Sequence, residues 1–520
     1  MPSRFTKNLT LNRLVFFLFW TLLFALAYTQ SPLYTSNQNQ YFLRGLANAG
    51  VGTLSEDWLA NIPDTVPVFN ALVEWTTRIF HGDVVFYIYY AFLMGIYLFS
   101  LLGIASQLFD VQKTRPQRLL FLTLLIVVHS AAIRFVITAI LDADWTYVLE
   151  DGFAGQRMLG PVFEPSVFAV FLVLAVYLFI RRRPYPAALA AALAAIMHPT
   201  YLLPSGVVII GFVISLYLED RKLKRPFLTG LIALGAVSPV LFYVYTTFWG
   251  TTPAVAAHAQ SILVDVRIPH HADINAWFGA PEAVKIVMIA VALWLARKTR
   301  LFSLMLTISL TTAALILVQT VTHSNTLALL FPWRPTILLV PLAMIILLAV
   351  ITNWLLKPRP GLQSQAHFER SLPWLCAVLI AGCALAGLVR FGLDLARKND
   401  IPEHAMFDFV AAHRASGQVY LIPLKMQDFR LATGTPAYVD FKAIPYVDVR
   451  VLDWYSRVLM ASEFYQHPNC TSARKLLSQA DVSDIVLEAS QKDLTCPGTN
   501  MIYQDDNYKI YTIDPIALLK

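Results

Sequence analysis

Residues 84–109 read VVFYIYYAFLMGIYLFSLLGIASQLF, a run of 26 residues without a charged side chain. Such a run can cross a bilayer as a helix, because roughly 20 apolar residues span the hydrocarbon core. The whole chain has this character: 57% of its 520 residues are hydrophobic and 14% are charged. Soluble domains carry about 25% charged residues. The sequence therefore predicts an integral membrane protein.

Ten further apolar segments flank this run, so we expect a mainly α, polytopic membrane protein with about eleven transmembrane helices. The predicted spans are 14–28, 84–109, 119–141, 162–180, 187–197, 202–218, 227–249, 283–296, 301–321, 336–356 and 372–393. These spans form a predicted transmembrane domain, residues 1–398, whose longer connections are 30–83, 142–161 and 250–281.

The composition changes to that of a soluble module at about residue 399. Helical periodicity is visible in 404–415, 449–461 and 472–480, and short β-rich runs predict strands at 419–423, 437–441, 484–487, 501–503 and 508–513. Residues 399–520 are thus predicted to form a small α/β domain. They contain no nucleotide-binding or zincin motif.

Lys and Arg predict the orientation, because positively charged loops stay cytoplasmic. Basic clusters such as 181–183 and 221–225 fall at every second gap between spans. The N-terminus is therefore expected inside, and the three long connections and the 399–520 domain outside. The net charge of +7 is explained by these cytoplasmic basic clusters, so it does not indicate a nucleic-acid partner. A cleavable signal peptide ending near 25–27 is an alternative reading of the N-terminus that leaves the remaining orientation unchanged.

Glu56 and Asp57 lie in the first long connection, within TLSEDWLANIPDTVP at 53–67. A carboxylate at the membrane surface can accept a proton from a substrate hydroxyl, so both are candidate catalytic residues. The alternative is that they solvate or cap a surface helix.

Other candidates are cations and histidines that would bind a substrate phosphate. They are Arg157, His198, Arg267, His270 and His271 in the outer segments, and Arg134 and Arg334 within predicted spans. Ionisable groups inside a membrane are costly and are usually functional or paired. The histidines could also contribute to a divalent metal site, so metal and cofactor remain open.

The four cysteines fall into two groups. Cys376 and Cys383 lie in the last predicted span and are expected to be packing residues. Cys470 and Cys496 lie in the soluble part, where an oxidising compartment would permit a disulfide.

Several short strings resemble those of an uncharacterised family of bacterial multi-pass membrane proteins. They are PSVF at 165–168, HPTYLLP at 198–204, RIPHHA at 267–272, FRLATG at 429–434, YVDFKAIPY at 438–446 and LDWY at 452–455. The layout of the chain also resembles the GT-C superfamily of lipid-linked-sugar glycosyltransferases. This resemblance implies a bacterial inner-membrane protein that uses a polyprenyl-phosphate-linked sugar donor among membrane lipids, with an acceptor that the sequence does not identify.

In that superfamily an acid of the first outer loop is typically the base or a metal ligand, a role that would fall on Asp57, with Glu56 beside it. The chain departs from the pattern because its acids come in the order Glu-Asp and well after the first span, which ends at Tyr28.

Two other functions stay open: a transporter or flippase for lipid or envelope precursors, and a non-catalytic envelope assembly protein. A glycosyltransferase predicts that the outer candidates line one cavity, because acid and cation must lie within about one substrate's width. It also predicts that Asp57→Asn inserts normally and loses activity.

Overall fold

The computed structural model of the chain describes residues 4–357, 363–514 and 517. Within them, 7 helices are long and apolar enough to cross a membrane. They are Leu11–Tyr28, Val84–Phe109, Pro199–Asp220, Lys224–Phe248, Leu301–Thr322, Thr336–Leu355 and Arg370–Asn399. Every predicted span coincides with a helix, although several helices are shorter or bent. The prediction of a mainly α, polytopic membrane fold with a small C-terminal sheet is confirmed.

One span is broken in its middle. The helices Arg115–Val128 and Ala131–Ile140 meet at a bend of 53°. The second helix restarts because the Ser130 hydroxyl accepts a hydrogen bond from the backbone N–H of Ile133, 3.2 Å away, and so caps the new N-terminus. The restart places Arg134 in the first turn after the bend.

Two apolar segments, Pro165–Ile180 and Pro184–Met197, are shorter than a full span. The first opens as a 3₁₀ turn over Pro165–Ala169 before the α-helix Val170–Ile180. Pro165 and Pro184 each occupy the first position of their helix, where the missing N–H removes no helical hydrogen bond. The remaining α-helices before the sheet region are Gln38–Tyr41, Leu43–Ala49, Pro67–Phe80, Pro253–Ser261, Pro269–Ala272, Ile274–Trp277, Ala280–Ala296 and Asn325–Leu329.

The chain divides into two compact units. The first, here called the membrane unit, comprises Met1–Gln30, Phe86–Leu241 and Pro269–Leu393. The second, here called the sheet unit, comprises Ser31–Val85, Phe242–Ile268 and Asp394–Lys520. The first long connection therefore folds with the C-terminal residues in one unit.

The sheet unit contains four strands in the order β1-β2-β4-β3. They are β1 (Tyr420–Leu421), β2 (Asp484–Glu488), β3 (Thr499–Gln504) and β4 (Tyr508–Ile513). β1 pairs parallel with β2, Tyr420 opposite Asp484, and the other two pairings are antiparallel. Four helices precede or lie between these strands along the chain: His404–His413, Phe429–Thr433, Asp448–Gln466 and Cys470–Leu477. A core that includes Met406, Phe429, Val486 and Ile510 joins helix and strand residues.

The predicted strand at 437–441 does not form. Only an isolated bridge joins Ala437 to Tyr420. The reason is Asp440, whose Oδ1 accepts the backbone N–H groups of Lys442 and Ala443, each at 2.7 Å. An aspartate bonded to the backbone two and three residues ahead stabilises a turn rather than an extended strand.

Candidate functional site

The second long connection, residues 142–161, forms an ordered loop in the membrane unit. Its backbone is held from three sides around Gly152. The Lys285 ammonium donates to the Gly152 carbonyl at 2.9 Å, the Gly152 N–H donates to the Gln156 carbonyl at 2.9 Å, and the Phe153 N–H donates to the Thr336 hydroxyl at 2.8 Å. A buried loop needs such partners, because an unpaired buried backbone group is costly.

This loop brings Asp151 against Arg157. Arg157 Nε donates to Asp151 Oδ2 at 2.8 Å. The Asp151 side chain is 5% exposed and that of Arg157 is 35% exposed. Asp151 Oδ1 is buried and accepts no hydrogen bond from any residue that the structure describes. The pair thus combines a buried carboxylate oxygen with a partly exposed cation.

Burial raises the pKa of Asp151 to about 6, against the lowering effect of the nearby charges on Arg157 and Lys285. A carboxyl group with a pKa near neutrality is suited to general acid–base catalysis, because it exchanges protons readily at the working pH.

A second ion pair lies next to the first. Arg134 Nη1 donates to Glu150 Oε1 at 3.2 Å, and the same guanidinium donates to the carbonyls of Tyr28 and His129. Burial raises the pKa of Glu150, against the effect of Arg134. Tyr147 separates the two arginines: its ring centroid is 3.7 Å from the guanidinium carbon of Arg157 and 5.3 Å from that of Arg134. The loop therefore concentrates two carboxylates and two arginines around one aromatic ring.

Lys285 is a third cation of this cluster, and our sequence reasoning missed it. It is buried in the helix Ala280–Ala296, 3.4 Å from Glu282. Its position inside an apolar segment was the available signal, since charges within spans are usually functional or paired.

Arg334 and His198 border the same loop. Arg334 Nε donates to Gln156 Oε1 at 2.8 Å, and its guanidinium carbon lies 5.6 Å from the centroid of the Tyr201 ring. His198 is buried and packs edge-on against Tyr201 at 5.3 Å. Tyr201 donates to the carbonyl of Ser166 at 2.8 Å, and Ser166 donates to Glu164. The strings PSVF and HPTYLLP therefore meet in one polar network.

His270 and His271 lie in the helix Pro269–Ala272. His271 Nδ1 is 2.7 Å from the carbonyl of Ala154 in the loop, and the two imidazole centroids are 4.2 Å apart. Five of the predicted candidates lie in this connection or contact it or its direct partners: Arg134, Arg157, His198, His271 and Arg334. His270 is exposed and contacts His271.

Asp57 has a different environment, in the sheet unit. It is 0% exposed, and its oxygens accept hydrogen bonds from the backbone N–H groups of Leu59, Ala60 and Ala437 and from Arg430 Nε at 2.7 Å. Arg430 also pairs with Asp440 and donates to the Ala437 carbonyl. These four donors bond both oxygens of Asp57 within the sheet unit.

Glu56 and Arg267 also lie in the sheet unit. Glu56 is exposed and accepts from the Gly417 N–H and the Ser416 hydroxyl, each at 2.7 Å, and these two donors lower its pKa. Arg267 donates to the Lys442 carbonyl at 2.6 Å, and burial lowers its pKa. The structure thus assigns Glu56, Asp57 and Arg267 to one unit and the other candidates to the membrane unit.

The described residues contain no group of three or more His, Cys, Asp or Glu side chains arranged to hold a metal ion. The cysteines behave as their positions predict: Cys470 and Cys496 form a disulfide with a Cα–Cα distance of 5.5 Å, and Cys376 and Cys383 are buried free thiols.

The fold is that of a polytopic membrane protein with a small C-terminal sheet. Two solved structures share it. One is ArnT from Cupriavidus metallidurans bound to undecaprenyl phosphate, with a TM-score of 0.50 and 12% identity over 96% of this chain and 98% of that one. The other is the archaeal oligosaccharyltransferase AglB from Archaeoglobus fulgidus, in complex with an inhibitory peptide and a dolichol-phosphate, with a TM-score of 0.52 and 11% identity over 94% of this chain and 70% of that one.

Sequence comparison is less informative. Residues 402–461 match the family model DUF6798, a domain of unknown function. No curated protein matches the chain by sequence.

Proposed function

We propose that this chain is a GT-C glycosyltransferase of the bacterial inner membrane. It moves a sugar from a polyprenyl-phosphate-linked donor to an acceptor at the outer face, with the N-terminus in the cytoplasm. The observation that carries the proposal is the Asp151–Arg157 pair: a buried carboxylate with one oxygen accepting no hydrogen bond from the described residues, held beside a partly exposed arginine. The shared fold supports it, since both solved structures hold a lipid phosphate.

In this proposal Asp151, rather than Asp57, is the base. The acceptor hydroxyl gives its proton to Asp151 Oδ1 as its oxygen forms a bond to the anomeric carbon of the donor sugar. The bond between that carbon and the phosphate oxygen breaks, and the phosphate leaves with the electron pair. Arg157 uses its two terminal nitrogens, which donate no hydrogen bond within the described residues, to bind the departing phosphate.

The neighbouring groups position this pair. Arg134 neutralises Glu150, so that a second negative charge does not oppose the phosphate, and Lys285 fixes the backbone next to Asp151. His271 and Arg334 hold the loop in place by contacting the Ala154 carbonyl and the Gln156 side chain, respectively.

The test is complementation of a deletion strain, read out as the lipid-linked sugar that accumulates when transfer fails. We expect the wild-type gene to clear this intermediate and Asp151→Asn to leave it in place at normal protein abundance. Asp144→Asn is the matched control, because Asp144 lies in the same connection with an exposed side chain. Full clearance by Asp151→Asn would exclude Asp151 as the base. An intermediate that accumulates only on the cytoplasmic leaflet would indicate transport instead of transfer.

A further inference from the structure

A groove runs between three helices of the membrane unit, at the end of the bent span away from the second long connection, residues 142–161. It lies between Arg4–Tyr28, Arg115–Val128 and Gln363–Asn399 and has a volume of about 260 Å³. Its apolar walls include Phe16, Trp20, Leu122 and Leu372. The bent span starts at Arg115 and ends at Ile140, just before the loop, so the groove and the candidate active site occupy opposite ends of it.

Two arginines line the groove at the start of the helix Arg115–Val128. Arg115 is exposed, and the Arg118 guanidinium carbon lies 5.2 Å from the centroid of the Phe16 ring. Neither arginine forms an ion pair with a carboxylate among the residues that the structure describes. The first turn of this helix contains no acidic residue.

This arrangement is unfavourable for an empty groove. The N-terminus of a helix carries a partial positive charge, so cations in the first turn are repelled by it. An anion bound between the arginines would relieve that repulsion and would form charge-assisted hydrogen bonds with both guanidinium groups. Basic pockets between transmembrane helices are suited to anionic lipid headgroups.

We propose that this groove binds one anionic glycerophospholipid of the bilayer. Its phosphate lies against Arg115 and Arg118, and one acyl chain lies along Phe16, Trp20, Leu122 and Leu372. The site is independent of sugar transfer at the other end of the span.

Native mass spectrometry of the full chain in detergent tests the proposal, with phosphatidylglycerol and phosphatidylcholine as probes. We expect wild type to retain one phosphatidylglycerol and far less phosphatidylcholine. The double variant Arg115→Gln/Arg118→Gln should retain phosphatidylglycerol about twenty-five-fold less, because each arginine beside an anionic headgroup contributes on the order of a factor of five. The matched control is Arg221→Gln/Lys222→Gln, which removes two exposed cations between other helices and should change nothing.

Equal retention of phosphatidylglycerol by wild type and the double variant would overturn the proposal, as would equal retention of the two lipids by wild type. Displacement of phosphatidylglycerol by equimolar undecaprenyl phosphate would show that the groove prefers the carrier lipid and would overturn the assignment to a bilayer lipid. If the double variant unfolds, the single variant Arg115→Gln decides, because its side chain is exposed; a reduction of about fivefold supports the site and no reduction refutes it.

Discussion

At the scale of single residues, Asp57 and Asp151 are both buried and both pair with an arginine, but they differ in how many donors surround them. Asp57 accepts from three backbone N–H groups as well as Arg430. Asp151 accepts from Arg157 alone among the described residues. A buried carboxylate with a single donor gains from accepting a proton, because burial disfavours its charged form. This difference favours Asp151 as the base.

The raised pKa of Asp151 predicts a pH dependence. The base is active when ionised, and its ionised fraction grows as the pH rises through the pKa of about 6. We therefore expect kcat/KM for sugar transfer to rise with pH along a limb with a midpoint near this value, measured with purified enzyme in nanodiscs. A flat profile across that range, or a residual activity of Asp151→Asn with the same limb, would contradict the assignment.

Asp57→Asn should act on stability. The change removes one of the two carboxylates of Arg430 and places an amide where backbone N–H groups already donate. Breaking a buried ion pair costs roughly 3–5 kcal/mol, so we expect a lower thermal midpoint of the purified protein and reduced abundance in cells.

Glu56→Gln is the control for this effect. Its carboxylate is exposed on the same connection, so the change in thermal midpoint should be much smaller. If Asp57→Asn kept a wild-type midpoint and still lost all activity, Asp57 would regain the role of base that the family resemblance implied.

At the scale of elements, the second long connection, residues 142–161, carries Asp151 and is held by contacts around Gly152. A Cβ atom at Gly152 would lie 2.6 Å from Thr336 Oγ1 and 2.7 Å from the backbone nitrogen of Ile337, so the loop would have to move. Because a displacement of about 1 Å can reduce a rate about a hundredfold, Gly152→Ala should lower kcat to that extent. The measurement is the transfer rate at saturating donor.

Gly160→Ala is the matched control in the same loop. A Cβ atom at Gly160 meets no atom within 4 Å, so this variant should keep its activity. Equal activity of the two alanine variants would show that the position of the loop does not limit transfer.

At the scale of the whole molecule, the proposed reaction requires that the sheet unit face away from the cytoplasm. Single cysteines test this: Ser478→Cys lies in the sheet unit and Lys222→Cys lies between two helices, and both positions are exposed. The native cysteines should react little with a maleimide, since two are disulfide-bonded and two are buried. We expect a membrane-impermeant maleimide to label Ser478→Cys in intact cells and Lys222→Cys only after permeabilisation. The reverse labelling pattern would contradict the proposal that sugar transfer occurs at the outer face of the membrane.

Features that depend on neighbours in the chain were predictable from the sequence. Apolar runs predict spans because backbone groups in a bilayer can be satisfied only within a helix or a closed barrel. The helices of the sheet unit follow from their 3.6-residue periodicity, and the strand predicted at 437–441 was wrong because a local aspartate turn competes with extended pairing. The membrane class and most helices therefore required no knowledge of tertiary contacts.

The roles of the charged residues depended on the tertiary structure. Asp57 meets Arg430 across 373 positions, and Lys285 meets Gly152 across 133. The sequence pattern could identify Asp57 as an acid in a polar loop, but it could not reveal that a distant segment supplies two of its four donors, Arg430 and the Ala437 N–H. Whether a buried carboxylate is inert or reactive depends on the donors and the water around it, and folding alone brings those groups together.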